Sequence, residues 1–313
     1  MDRLVTLFGG GGFLGRYVAQ ELLKAGARVR IAERDPSSAY FLKPLGGLGQ
    51  TQFVVADVTR PASVRRAIDG ASAVVNLVGV LAGKFEALHV EGARTIAEAA
   101  ATLQVQSLVQ ISAIGADAAS ESAYARTKGL GEQAVRAAFP GATIVRPSIL
   151  FGPEDNFVNR FASMIAALPF VPVIRGAALF QPAWVSDVAR AIAAAALDPA
   201  QFGGRTFELG GPQAMSMAEL NAWIAGAIGR PVRQPEIPDP IAAGFAKLGG
   251  WLPGAPITWD QWVMLQKDNV VSPGAEGFAA FGIEPTPLAA AAPKWLVRYR
   301  REGRFSLDRA ARA

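Results

Sequence analysis

The chain has 313 residues, 51% of them hydrophobic and 18% charged, with a formal net charge of +5. That length suits one large α/β domain or a domain with a smaller lobe, and so few charges argue against broad disorder. No cysteine and a single histidine, His89, argue against disulfides, cysteine-ligated metals, a zinc hydrolase and a Ser-His-Asp triad, and no GxSxG motif supplies a nucleophile elbow.

The first predicted strand, LVTLF, begins at residue 4 with no basic-then-apolar leader before it, so we expect no secretory signal and a cytoplasmic setting. Four glycines follow, and after them the helical pattern FLGRYVAQELLKAG. Gly9, Gly12 and Gly15 form GxxGxxG across this strand-to-helix corner. The first glycine permits the tight turn, the second lets backbone approach a pyrophosphate, and the third lets helix and strand sit close. The first-turn N–H groups around Phe13 and Leu14 then face the phosphates with the positive end of the helix dipole. A Walker loop is the nearest rival, because Gly10 and Gly15 have its spacing, but Arg16-Tyr17 stands where Lys-Ser/Thr is required. We therefore expect a dinucleotide at this corner.

The second strand, RVRIAE, ends on two conflicting signals. Glu33 suits the ribose 2′-hydroxyl of NAD, and Arg34 suits the 2′-phosphate of NADP. We expect NADP(H) in preference to NAD(H). Further strands are predicted in QFVVAD, SAVVNLV, SLVQIS and ATIVRP, with helices such as EALHVEGARTIAEAAATL between them. Strands this apolar are buried on both faces, and alternating β and α with right-handed crossovers gives a doubly wound parallel sheet. Ser112 ends the fifth strand, and SAYARTKGLGEQAV then carries Tyr124 and Lys128 at i, i+4 on one helix face. An ammonium one turn away favours a phenolate, which makes an acid/base group, and Ser112 suits a substrate oxygen.

Beyond residue 150 the pattern loosens into proline clusters and isolated helices, and FASMIAALPFVPVI is too short and proline-broken to span a bilayer. We expect a nucleotide-binding domain over residues 1–150, joined by returning segments near 178–210, and a smaller, mainly helical lobe over 151–313. The chain ends on a basic segment. It holds Lys294, Arg298, Arg300, Arg301, Arg304, Arg309 and Arg312 against Glu302 and Asp308, with Trp295, Leu296, Val297, Tyr299 and Phe305 interleaved. Such a segment is either a solvated helix or a docking surface for an anionic membrane or a partner protein, each basic residue contributing about 1 kcal/mol at an anionic leaflet. Trp251, Trp259 and Trp262 are expected to pack within the lobe. The charge is too modest and local for a nucleic-acid groove.

Together, GGGGFLG, Asp57-Val58 after the third strand, NLVG (Asn76 to Gly79) after the fourth, Ser112, the Tyr124/Lys128 pair and RPSILFGPEDNFVNRF resemble the extended, partly atypical branch of the short-chain dehydrogenase/reductase superfamily. That resemblance implies that Asp57 and Val58 lie at the adenine edge. It also implies that Leu77, Val78 and Gly79 line the cofactor, as does the backbone near Pro147 and Ile149, and that Ser112, Tyr124 and Lys128 reach the nicotinamide ribose. The segments AVRAAFPGATIVRPSILFGPEDNFVNRFASM, FQPAWVSDVARAI and PGAPITWDQWVMLQKDNVV narrow the resemblance to the NAD(P)H-binding accessory subunits of respiratory complex I and their bacterial relatives. Membership there implies a tightly held, structural NADPH and association with complex I or quinone metabolism on the cytoplasmic face of the inner membrane. The alternative is an NADP-dependent reductase of a hydrophobic carbonyl compound or quinone, with Tyr124 as acid. The stretch between Ser112 and Tyr124 is shorter than in sugar-nucleotide epimerases, which argues against a nucleotide-sugar substrate.

Overall fold

The computed structural model describes residues 3–249, 257–301 and 303. The chain divides into two units, each with its own core. The first comprises Met1–Pro147, Val185–Leu209 and Ser272–Glu284, and the second Ser148–Trp184, Gly210–Val271 and Pro285–Ala313.

In the first unit, strands β1 (Leu4–Phe8), β2 (Arg28–Glu33), β3 (Thr51–Val55), β4 (Ala73–Asn76), β5 (Ser107–Ile111) and β6 (Thr143–Pro147) join a seventh strand, Thr206–Leu209. Every pairing is parallel, and the order across the sheet is seventh strand, β6, β5, β4, β1, β2, β3. β4 and β5 are buried along their whole length, as expected for a sheet covered on both faces. Helix α1 (Phe13–Lys24) packs with the helix Val185–Leu197. Helix α3 (Gly92–Thr102) packs between α2 (Pro61–Ile68) and α4 (Ala123–Ala138). Val64, Ile68, Val74, Ile96, Ala100, Leu108 and Val135 form their shared core. This is the doubly wound α/β fold expected above. Its strand order reverses between β1 and β4, and ligands of such sheets lie outside the carboxyl ends of the strands at that switch point.

Ser272–Glu284, which the sequence pattern had placed in the lobe, belongs to this unit for visible reasons. The Glu208 N–H donates to the Glu276 carbonyl at 2.8 Å. The Ser272 N–H donates to Glu208 Oε2 at 2.8 Å. Phe281 stacks on Phe202 with centroids 4.5 Å apart.

The second unit is held by short strand pairs, Leu150–Phe151 with Ala183–Trp184 among them, and by the helices Val158–Ala167, Met217–Ala227, Asp239–Gly249 and Trp259–Met264. Phe151, Leu220, Ile224, Trp295 and Leu296 centre its largest core, with Trp184 and Trp295 stacked 5.4 Å apart. Trp262 is buried in a smaller cluster and Trp259 is half exposed; Trp251 lies outside the described residues. In the basic segment, Arg298 donates to the Pro153 carbonyl and to Asn159 Oδ1. Arg300 donates to the Ala227 carbonyl. These two arginines therefore hold the unit together internally. Glu302, Arg304, Phe305, Asp308, Arg309 and Arg312 lie outside the described residues.

Candidate functional site

The glycine corner stands at the switch point. Gly9 has φ +81°, and a Cβ there would lie 3.2 Å from the Leu77 carbonyl carbon, so both the turn and the neighbouring strand exclude a side chain. Gly15 is excluded from bearing one by close packing: its Cβ would meet the Gly9 and Gly10 carbonyl oxygens at 2.4 and 2.6 Å. Gly12 differs, for a Cβ there would touch only the Gly9 carbonyl oxygen, at 3.3 Å. It is the N-cap of α1, whose first turn has no side-chain cap and no acidic residue. The first-turn N–H groups, Phe13 and Leu14 among them, thus meet no cap from the chain's own side chains, an arrangement suited to an anion.

At the β2–β3 side, Glu33 Oε1 accepts the Gly11 N–H at 2.7 Å. Burial pushes this carboxyl above its ordinary range, opposed by that hydrogen bond and by Arg34. Glu33 is thus occupied in fastening the glycine loop, while Arg34 is exposed beside it. Asp57 accepts from the Thr59 hydroxyl and N–H at 2.7 and 2.9 Å, and these bonds hold its carboxyl below the usual range, with Arg60 and Arg34 adding to the effect. Val58 beside it is buried.

At the β4–β5 side, Asn76 Oδ1 accepts the Val78 N–H at 3.1 Å and shapes the Leu77–Val78–Gly79 loop. Its amide nitrogen donates to Gln110 at 2.8 Å. Lys128 is 6% exposed and donates from Nζ to the Ile111 carbonyl at 3.2 Å. A Cβ on Gly79 would lie 3.1 Å from that Nζ, and Nζ lies 5.9 Å from the centroid of the Tyr124 ring. Burial lowers the Lys128 pKa to about 8, against the carboxylate of Glu132, which raises it. Ser112 follows Ile111. Its N–H donates to the Val145 carbonyl at 2.7 Å, and its hydroxyl is buried without a hydrogen-bond partner. An orphaned hydroxyl, one residue on from the carbonyl that holds a buried ammonium, fits a polar group supplied from outside the chain.

The structure brings Gly79, Tyr124 and Lys128 together around the Lys128 ammonium, which the carbonyl preceding Ser112 holds, and sets Gly9 beside Leu77 with Gly12 and Gly15 against the Gly9 carbonyl. Pro147 ends β6 and its carbonyl accepts the Ile114 N–H at 3.1 Å. Ile149 falls in the second unit, where its N–H donates to Asn269 Oδ1 at 3.2 Å. Three features escaped the sequence. Arg146 makes a two-point ion pair with Glu132 at 2.7 and 2.8 Å and reaches Glu208 at 3.3 Å. Glu33 has the loop-fastening role just described. His89 lies buried against Tyr124, ring centroids 5.5 Å apart. A charged residue inside an apolar strand and the i, i+4 spacing of Lys128 and Glu132 were the available signals for the ion pairs.

The model of the NAD dependent epimerase/dehydratase family matches residues 5–210, from the first strand through the seventh. The chain belongs to that family. Its similarity extends past the matched region. It is 33% identical over 305 residues to the mouse (Mus musculus) mitochondrial NADH dehydrogenase [ubiquinone] 1 alpha subcomplex subunit 9, covering 95% of this chain and 80% of that one. It is 31% identical over 195 residues to the ceramide reductase of Caulobacter vibrioides, covering 61% of this chain and 60% of the reductase. Among solved structures, the NADPH complex of the Escherichia coli quinone oxidoreductase QOR2 superposes with a TM-score of 0.73 at 21% identity, covering 91% of this chain and 97% of that one. Family members of this kind share the NAD(P)-binding fold.

Proposed function

We propose that this chain is an NADPH-binding accessory or assembly protein of respiratory complex I or of quinone metabolism, in which the nucleotide is held for structural reasons. The observation that carries the proposal is similarity to the complex I subunit over 95% of the chain, well beyond the nucleotide-binding family match. The residues present fit a dinucleotide. An uncapped helix start and the open face of Gly12 suit a pyrophosphate. Asp57 and Val58 suit the adenine edge. Leu77, Val78 and Gly79 suit the path between the two ends of the nucleotide, and Ser112, Tyr124 and Lys128 suit the nicotinamide ribose. Glu33 spends one oxygen on Gly11, which leaves the exposed guanidinium of Arg34 as the group for a 2′-phosphate and favours NADP(H) over NAD(H). The setting is the cytoplasmic face of the inner membrane, held there by partner proteins and by basic residues of the C-terminal segment. Among the described residues, no helix is long and apolar enough to cross a membrane.

A second reading, an NADP-dependent reductase of a hydrophobic carbonyl compound or quinone, draws on the partnerless Ser112 hydroxyl and on the reductase relative. A bound reduced nicotinamide would supply hydride. Ser112 would orient the carbonyl oxygen, Tyr124 would deliver a proton to it, and Lys128 would favour the phenolate left behind.

Affinity purification of the tagged chain from its own membranes decides between them. The accessory reading predicts complex I subunits in the eluate and a bound NADPH whose absorbance at 340 nm survives added quinones and ketones. Oxidation of that NADPH by such a compound, abolished in Tyr124→Phe, would replace it with the enzyme reading.

A further inference from the structure

The only histidine of the chain is 2% exposed and has both ring nitrogens engaged. It lies in a π-helical turn, Glu86–Glu91, that leads into α3. The Val80 N–H donates to His89 Nε2 at 3.0 Å. Nε2 is therefore bare, and a neutral ring must carry its proton on Nδ1. Nδ1 lies 3.0 Å from Thr127 Oγ1, which donates onward to the Ala123 carbonyl at 2.7 Å. The direction of every bond in this chain is thus set: Val80 N–H to ring, ring to Thr127, Thr127 to the first turn of α4.

The two ends of the chain are the two sides of the site. Val80 follows Gly79 on the loop after β4, and Thr127 lies between Tyr124 and Lys128 on α4. The Tyr124 ring stands on the His89 ring at 87°, and Phe85 closes the stack, 5.5 Å from His89 and 6.2 Å from Tyr124. Close backbone packing fixes the histidine itself, since a Cβ on Gly131 of α4 would lie 2.1 Å from the His89 carbonyl oxygen. The titratable groups facing the ring, Tyr124 and Lys128, are both on α4. Glu86 and Glu91 of its own turn are exposed, and Arg94 of α3 pairs with Glu91. Burial and the Lys128 ammonium lower the His89 pKa to about 3, so the strut stays neutral.

We infer that His89 is a positioning residue: a neutral ring in its Nδ1–H form that sets the gap between the Gly79 loop and the Tyr124–Lys128 helix face. A ring with no free nitrogen is not itself an acid or base here. The inference rests on the nucleotide site proposed above, and its consequence is that the ribose-facing groups keep their spacing whether or not the nucleotide is present.

Three variants and one spectrum test it. Thr127→Val removes the Nδ1 partner together with its own bonds to the Ala123 and Tyr124 carbonyls, His89→Gln keeps an acceptor for Val80, and His89→Ala removes both ring contacts. Thr127→Val and His89→Ala are expected to bind NADPH about tenfold more weakly, the size of one lost buried hydrogen bond, and His89→Gln less so. A merely stabilising histidine would lower the melting temperature of His89→Ala and leave the affinity of the folded protein unchanged. In ring-15N-labelled protein the single histidine gives one pair of signals, expected to show protonated Nδ1 and bare Nε2. Wild-type affinity in both Thr127→Val and His89→Ala, or a proton on Nε2, overturns the inference. Should the wild type bind no NADPH, the nucleotide reading falls, and the ring spectrum decides the inference alone.

Discussion

Ser112 and Lys128 make the sharpest claims at the scale of single residues. The Ser112 hydroxyl is buried and partnerless in the chain itself, so removing it takes away an unsatisfied group. Ser112→Ala should therefore leave the nucleotide-free protein as stable as the wild type or slightly more so, by up to about 1 kcal/mol in urea unfolding. The same variant should weaken NADPH binding by about 1 kcal/mol or more; a loss of stability with unchanged binding would show that the hydroxyl serves packing instead. Lys128 titrates near pH 8 in the folded chain, below its ordinary 10.5. Binding an anionic nucleotide favours the charged lysine, so NADPH affinity should fall as pH rises through about 8, and Lys128→Gln should lack that inflection. Stability has the opposite sign. The unfolded chain binds more protons between pH 8 and 10.5, so the cost of burying this charge is full below 8 and disappears across that window. The glycines, Ser112, Tyr124 and Lys128 were readable because their spacing is local. Glu33 and His89 were not, because their partners lie 22 and 38 residues away.

Elements carry the next set of consequences. The ion pairs of Arg146 join three of them, because Glu132 lies on α4 and Glu208 sits opposite Arg146 in the register of β6 with the seventh strand. Glu132 also faces Lys128 electrostatically, so one carboxylate serves both the scaffold and the site. Glu132→Gln leaves Arg146 and Lys128 short of a counter-charge in a largely dry place. It should destabilise the chain by about 3 kcal/mol, measured by urea unfolding, and lower the pH at which NADPH binding is lost. A stable variant with an unmoved pH profile would mean that Arg146 is neutralised from elsewhere. The strands themselves were legible from their apolar, β-branched runs, and their parallel pairing followed from the alternation with helices; their order across the sheet comes from the structure. Assignment of Ser272–Glu284 to the first unit was not legible, since it depends on edge bonds to Glu208 and on a phenylalanine stack between distant parts of the chain.

For the whole molecule, a family fold and a functional assignment rest on different grounds. A doubly wound parallel sheet follows from sequence pattern and physics, its seventh strand being added by the structure, whereas the proposed association with complex I rests on similarity that runs through both units. Every part of the account still depends on a dinucleotide lying against the bare backbone of the glycine corner. Calorimetry with NADPH on the wild type and on Gly12→Val tests this most directly, because a side chain at residue 12 meets little of the chain itself and would fill the space assigned to the pyrophosphate. The account predicts saturable one-to-one binding to the wild type and none to a Gly12→Val variant that melts normally. A flat wild-type titration, or equal binding by the two proteins, would contradict it.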